Sequence, residues 1–139
     1  MIKDSAVILY DKESKKILLQ LRDSNPKLYP NYWSVFGGSV DEGETFEQAA
    51  IREAHEELSY ELKNPIMILE HKENPKISPS SRHRQFFLDE YDRTQKLHQN
   101  EGADMNWFNK YEFLQIKDKT IPGLVDLIFE VFEYLDKNI

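Results

Sequence analysis

The chain contains no cysteine. Disulfides, thiolate metal sites and thiol nucleophiles are therefore excluded at once. It also lacks any apolar run near the roughly 20 residues that a membrane-spanning helix needs. Lys3 and Asp4 interrupt the apolar residues of "MIKDSAVILYD", so a secretory signal is not expected there. The expectation is a cytoplasmic protein with no membrane partner. An excess of positive charge is missing too: 25 acidic residues stand against 18 basic ones, for a net charge of -7. A polymeric nucleic acid is a poor partner for such a surface. A small phosphorylated ligand is still open to it, because a divalent cation can supply the positive charge and carboxylates can hold the cation. His55, His71, His83 and His98 form no spaced cluster, so a zinc site is not expected.

What is present suffices for an ordinary core. Apolar residues make up 40% of the chain and aromatics 12%. A length of 139 residues suits one domain over 1–139. "SAVILYD" and "KKILLQLR" read as strands joined by a turn at Asp11 to Ser14. "DSNPKLYPNY" is a loop with Pro26 and Pro30, followed by short extended pieces in "WSVFGGSV". "PIMILEHKE", "SRHRQFFLDEYD" and "DMNWFN" are further strands, and Pro75 and Pro79 bracket a loop between the first two. "KYEFLQI" is a short helix or turn. "PGLVDLIFEVFEYLDKN" is a closing helix with Pro122 near its start. Its Leu124, Val125, Ile128 and Phe132 lie on one side, and Leu127, Val131 and Tyr134 on another. It is either deeply packed or part of a homodimer contact, so monomer and homodimer both stay open. The order of elements predicts an α/β fold: a mixed sheet with a helix against each face.

The segment from Gly37 to Leu58 carries the chemistry. Thr45 and Gln48 form a capping box for a helix from Phe46 to Leu58, whose Ala50, Ala54 and Leu58 make the packing stripe. Glu53, Glu56 and Glu57 stand at i, i+3 and i+4 and can converge on one point. Without a counterion, such like charges cost a few tenths of a kcal/mol per pair. A bound Mg2+ or Mn2+ turns the repulsion into attraction, since both favour carboxylate and water oxygens. Arg52 beside them can hold one carboxylate in place. Gly37, Gly38 and Gly43 supply tight backbone ahead of the helix. The competing reading of the acids alone is a solvated helix face.

This stretch resembles the signature of the Nudix hydrolases, the MutT-like family. The pattern falls on Gly38, Glu44, Arg52, Glu53, Ala54, Glu56, Glu57, Ser59 and Tyr60. All its charged positions match. Ser59 replaces the usual glycine and Tyr60 the usual small aliphatic, both at the helix exit. Phe36 replaces a proline often found before the double glycine. The resemblance implies a Nudix-like alpha-beta-alpha sandwich with a mixed sheet. It implies Mg2+, with Mn2+ as a substitute, on Glu53, Glu56 and Glu57. Glu101 of "EGADMNWFNKYEF" is the candidate for an extra metal glutamate, and Gly38 joins the metal set. Glu53, Glu56 and Glu101 are the candidates for the base, with Arg52 and Glu44 as further catalytic residues. The implied reaction is hydrolysis of a nucleoside diphosphate linked to another group. A nucleoside triphosphate is favoured over a nucleotide sugar or a dinucleoside polyphosphate. The rivals are a nucleotide-binding or regulatory domain without turnover and an acidic interaction domain.

Arg22, Arg82 and Arg84 are candidates for phosphate or sugar contacts, against pairing with surface acids. Trp33 and Phe36, with Gly37 and Gly38, are candidates for the substrate wall, against a place in the core. Tyr29, Tyr32, Trp107 and Phe108 are weighed the same way, and the loops from Asp23 to Tyr32 and Asp92 to Met105 are expected to set selectivity.

Overall fold

The structure is a computed structural model and describes residues 1–24, 29–74, 76 and 80–139. Pro26, Pro75 and Pro79 of the expected loops fall outside the described residues.

One strand organises the rest. β1 (Ile2–Asp11) is buried without a break from Asp4 to Leu9, so its side chains must be apolar or paired in both directions. It runs parallel to β6 (Arg82–Glu90), with Ile2 opposite Arg82 and Tyr10 opposite Glu90. Its other edge is shared. β4 (Phe36–Ser39) pairs antiparallel with Asp4 to Val7, and β2 (Lys16–Leu21) pairs antiparallel with Tyr10 and Asp11. β2 in turn pairs with β3 (Trp33–Ser34) and with β7 (Asp104–Phe108). β5 (Ile66–Lys72) flanks β6 and completes a seven-stranded mixed sheet.

Alternation sends neighbouring residues to opposite faces. Val7, Leu9, Leu18, Phe36 and Phe87 turn to α1 (Phe46–Leu58), where Ala50, Ala54 and Leu58 meet them. The small alanines let the helix lie close to β1 and β4. Ala6, Ile8, Ile17, Leu19, Phe86 and Leu88 turn the other way, to α3 (Val125–Asn138) and Phe113 of α2 (Lys110–Ile116). Ile128, Val131, Phe132 and Leu135 of α3 are buried there, and Val125, Leu127, Phe129 and Tyr134 pack against the same core. The apolar breadth of the last helix is thus taken up by deep packing. The molecule is an α/β arrangement of helix, mixed sheet and helix. No helix among the described residues is long and apolar enough to cross a membrane.

Local chemistry sets the helix starts. The Thr45 hydroxyl accepts from the Gln48 amide at 3.0 Å, while the Gln48 side chain accepts from the Thr45 amide at 2.9 Å. Asn109 and Glu112 form the same reciprocal pair for α2, which settles "KYEFLQI" as a helix. α3 has no side-chain cap. It follows a 3-10 turn at Pro122–Leu124, so proline precedes it by a turn.

Candidate active site

The double glycine lets α1 come within hydrogen-bond reach of β4. Gly37 has φ 137, and a Cβ there would stand 2.8 Å from Ala6 Cα. A Cβ on Gly38 would run into the Glu53 carboxylate, 2.8 Å from its Cδ. With no side chain at either place, the Gly37 amide donates to Glu57 Oε2 at 2.8 Å. Glu57 is consequently fixed on the buried side of the helix, at 4% exposure, while Glu56 next to it stays exposed.

Arg52 ties the site to the turn before the helix. Its Nε donates to Glu44 Oε2 at 2.9 Å and its Nη2 to Glu44 Oε1 at 3.1 Å, a two-point grip. Nη2 also donates to the Ser39 carbonyl at 2.9 Å. Nη1 donates to Glu53 at 3.1 Å and to Glu56 at 3.2 Å. Asp41 lies 3.5 Å from Nε, and the Asp41 amide donates to Glu44 Oε1 at 3.0 Å. Glu44 is therefore part of the bracket that orients Arg52.

The carboxylates divide by environment. The Arg52 hydrogen bond, helped by the Asp41 amide, holds Glu44 below its ordinary range. Burial pushes Glu53 up; Arg52 opposes this, and the charges of Glu56 and Glu101 add to it. Glu57 is pushed up to about 8, chiefly by burial, against the Gly37 amide and with Glu53, Glu101 and Glu56 adding repulsion. Arg52 is raised above its ordinary value, most of all by Glu44. Acids forced upward by burial and by one another are a common mark of a functional site. Among the described residues, no three acidic or histidine side chains are gathered into a finished metal cage. Arg52 takes up oxygens of Glu53 and Glu56, and Glu57 is turned to the Gly37 amide.

The loop that carries Glu101 is docked on the end of α1. His98 N–H donates to the Leu58 carbonyl at 2.9 Å, and Asn100 N–H to the Glu57 carbonyl at 2.8 Å. The Asn100 side chain donates to the Glu56 carbonyl at 2.8 Å and to Ser59 Oγ at 3.1 Å. Sequence reasoning missed this cap, because nothing local links Asn100 to a helix end some forty residues earlier. Ser59 adopts φ 54 and ψ 37, the left-handed conformation expected of the glycine it replaces. Tyr60 is fully buried, and its hydroxyl accepts from the Asp92 amide at 2.8 Å.

The remaining candidates are scattered. Phe36 is 1% exposed in the α1-side core, so it offers no ring face to a ligand; its place in the substrate wall is corrected to packing. Trp33 is half-buried and meets Phe108 edge-on at 4.9 Å, on the α3 side of the sheet. Arg82 and Arg84 also lie on that side, since His83 between them packs on Phe46 of α1, with 4.7 Å between ring centres. Both arginines face Asp4, at 2.5 Å and 3.6 Å, so the ion-pair alternative describes them as they stand. Asp4 itself carried no signal in the sequence. Arg22 follows β2 and donates its amide to the Tyr32 carbonyl at 2.9 Å.

A family model described as the NUDIX domain matches residues 2–125. Dihydroneopterin triphosphate diphosphatase of Escherichia coli K12 is 42% identical over 57 residues, which is 40% of this chain and 35% of that protein. The chain thus matches about a third of the length of this curated relative. The solution structure of the E. coli ORF135 protein superposes with a TM-score of 0.75 at 26% identity, over 98% of this chain and 91% of that one. The MutT protein of Methanosarcina mazei Go1 gives 0.75 at 18% identity, over 98% and 93% of the two chains. The NUDIX domain of Shewanella oneidensis NrtR, solved with ADP ribose, gives 0.76 at 18% identity, over 97% and 88%.

Proposed function

The chain belongs to the NUDIX family, and we propose on that premise that it is a Mg2+-dependent hydrolase of a nucleoside diphosphate derivative, with a nucleoside triphosphate as the preferred substrate. Water adds across one P–O–P bridge: its hydroxyl goes to the attacked phosphorus, and the bridging oxygen leaves with the other phosphate product and takes up a proton. For a triphosphate the products are a monophosphate and pyrophosphate.

The observation that carries this reading is the position of Glu57. A carboxyl with 4% exposure, facing a backbone amide and crowded by three other carboxylates, has been given an environment that favours its uncharged form. A helix face built only for solubility would leave it in water. Hard oxygen donors are what Mg2+ accepts, and Glu53, Glu56, Glu57 and Glu101 supply them with no nitrogen or sulfur among them. The donor set therefore fits the ion. Glu53, Glu56 and Glu57 would hold it, with Glu101 and the Gly38 backbone completing the set. Bound there, it would neutralise diphosphate oxygens and lower the pKa of a coordinated water.

The protein's own residues divide the other tasks. Glu44 fixes Arg52, and Arg52 orients Glu53 and Glu56, so the acidic face is held before substrate arrives. Taking a proton from the attacking water falls to one of Glu53, Glu56 and Glu101. Arg22, Arg82 and Arg84 are the cations proposed for phosphate or sugar contacts, Arg82 and Arg84 after release from Asp4.

The name of the E. coli relative puts a pterin triphosphate among the compounds to be tried. The test is a panel of nucleoside di- and triphosphates, dihydroneopterin triphosphate, nucleotide sugars and dinucleoside polyphosphates, with Mg2+ and with chelator. Products are separated and identified. Turnover that needs Mg2+ and falls by at least about 100-fold in Glu57→Gln is expected. Binding with no turnover anywhere on the panel would make the chain a nucleotide-binding domain instead.

A further inference from the structure

An α-helix leaves its last carbonyls without partners. In α1 those carbonyls belong to the turn that bears Glu56 and Glu57. A backbone reversal at Ser59 does part of the capping: Tyr60 N–H donates to the Ala54 carbonyl at 3.4 Å and Ser59 N–H to the His55 carbonyl at 2.9 Å. The carbonyls of Glu56, Glu57 and Leu58 remain. All three are taken by residues 98–100, and Asn100 alone takes two of them. Glu101 is the next residue. Gly102, at φ 87, then turns the chain into β7, where Ala103 N–H donates to the Leu21 carbonyl at 2.9 Å. A Cβ at 102 would stand 2.9 Å from the Gln99 side-chain amide, 3.0 Å from the Gln20 side-chain amide and 3.1 Å from the Leu21 carbonyl, at a φ that favours glycine. Glu101 is thereby held between an anchor on α1 and an anchor on β2, close enough for its charge to act on Glu53 and Glu57.

We propose that Asn100 is a positioning residue that clamps Glu101 to the acidic turn of α1, with the Ser59 hydroxyl as its second anchor. This rests on the metal-dependent reading above. It also gives a reason for serine where the family pattern has glycine. A left-handed residue with a side chain is strained, yet here the side chain supplies an acceptor for Asn100 that glycine lacks. Ser59 exchanges local backbone comfort for a fixed distance between helix and loop.

The test measures binding of Mn2+ alone, by paramagnetic resonance of the free ion, together with thermal melting in chelator. The variants are Asn100→Ala, Ser59→Gly, Glu101→Gln and the Asn100→Ala/Glu101→Gln double. Asn100→Ala is expected to weaken Mn2+ binding about tenfold, the scale seen when a group that orients a metal ligand is lost. Ser59→Gly is expected to weaken it about threefold while the melting temperature holds or rises, because strain is relieved as the anchor is lost. A purely structural role would move stability and binding in the same direction. Glu101→Gln is expected to weaken binding in the parent and to add little in the Asn100→Ala background. If Asn100→Ala does not fold, Ser59→Gly decides alone. Binding unchanged in both single variants, or a full Glu101→Gln effect without Asn100, overturns the clamp and leaves the metal reading intact. A parent protein with no saturable Mn2+ binding overturns both.

Discussion

Arg52→Ala removes the hub of the acidic site, and its cost follows from the contacts. The guanidinium reaches Glu44 twice, Glu53, Glu56 and the Ser39 carbonyl. Not all of these count. The Glu56 side chain is 54% exposed, so its pair with Arg52 contributes little. Glu53 matters most to stability, since its side chain is 13% exposed and pressed against Gly38. A hydrogen bond to a charged partner contributes about 1.5–3 kcal/mol net, and a half-buried carboxylate stripped of its cation also keeps its desolvation cost. Water reaching a side chain 27% exposed recovers part of this. We expect a loss of about 2 kcal/mol, or roughly 6 °C in melting temperature for a chain of this size. Calorimetry in chelator at low salt and neutral pH measures it. Arg52→Lys keeps the charge but not the fork, and is expected to regain less than half. An Arg52→Ala protein melting within about 1 °C of the parent would mean that the hub is solvated and positions nothing.

Backbone and pH give two further checks. Gly37→Ala puts a Cβ into the backbone of Ser5 and Ala6 at a positive φ and is expected to cost about 3 kcal/mol or more in urea unfolding, whereas Gly43→Ala, at φ 83 with open space around it, is expected to cost about 1 kcal/mol. Equal costs at the two sites would refute the close approach of β4 to β1. Glu57 sits near 8 in the folded protein, above its ordinary unfolded value, so its protonated form favours folding. That contribution is complete below about pH 4.5 and is lost as the pH rises through 8. Urea unfolding of the metal-free protein at pH 5 and pH 8.5 should show stability falling with pH, and Glu57→Gln should flatten the fall. The same slope in both proteins would place the titration elsewhere.

The sequence by itself determined whatever depends on short range. The start of α1 was readable because a capping box is closed within four residues, Thr45 to Gln48. The first strand was readable because "AVIL" is a short apolar run that ends at a turn, and its central place came from its pairing with β4 and β6. The acidic trio was readable because helical spacing brings i, i+3 and i+4 together whatever surrounds the helix. What the tertiary structure decided is which of those groups meets water and which meets protein. Glu56 and Glu57 are neighbours on one helix with the same side chain, yet only Glu57 is buried, because only its side faces Gly37 on β4. Phe36 was open between substrate wall and core, and its pairing opposite Val7 places it in the core. Arg82 and Asp4 are 78 positions apart, and no local pattern couples them; parallel pairing of β1 and β6 does. Asn100 reaches Glu56 in the same way, across 44 positions. Helical spacing and the capping boxes at helix starts are satisfied by bonds a few residues long, so sequence alone reveals them, whereas burial, partnership and the far cap of α1 are set by segments that meet only when the sheet closes.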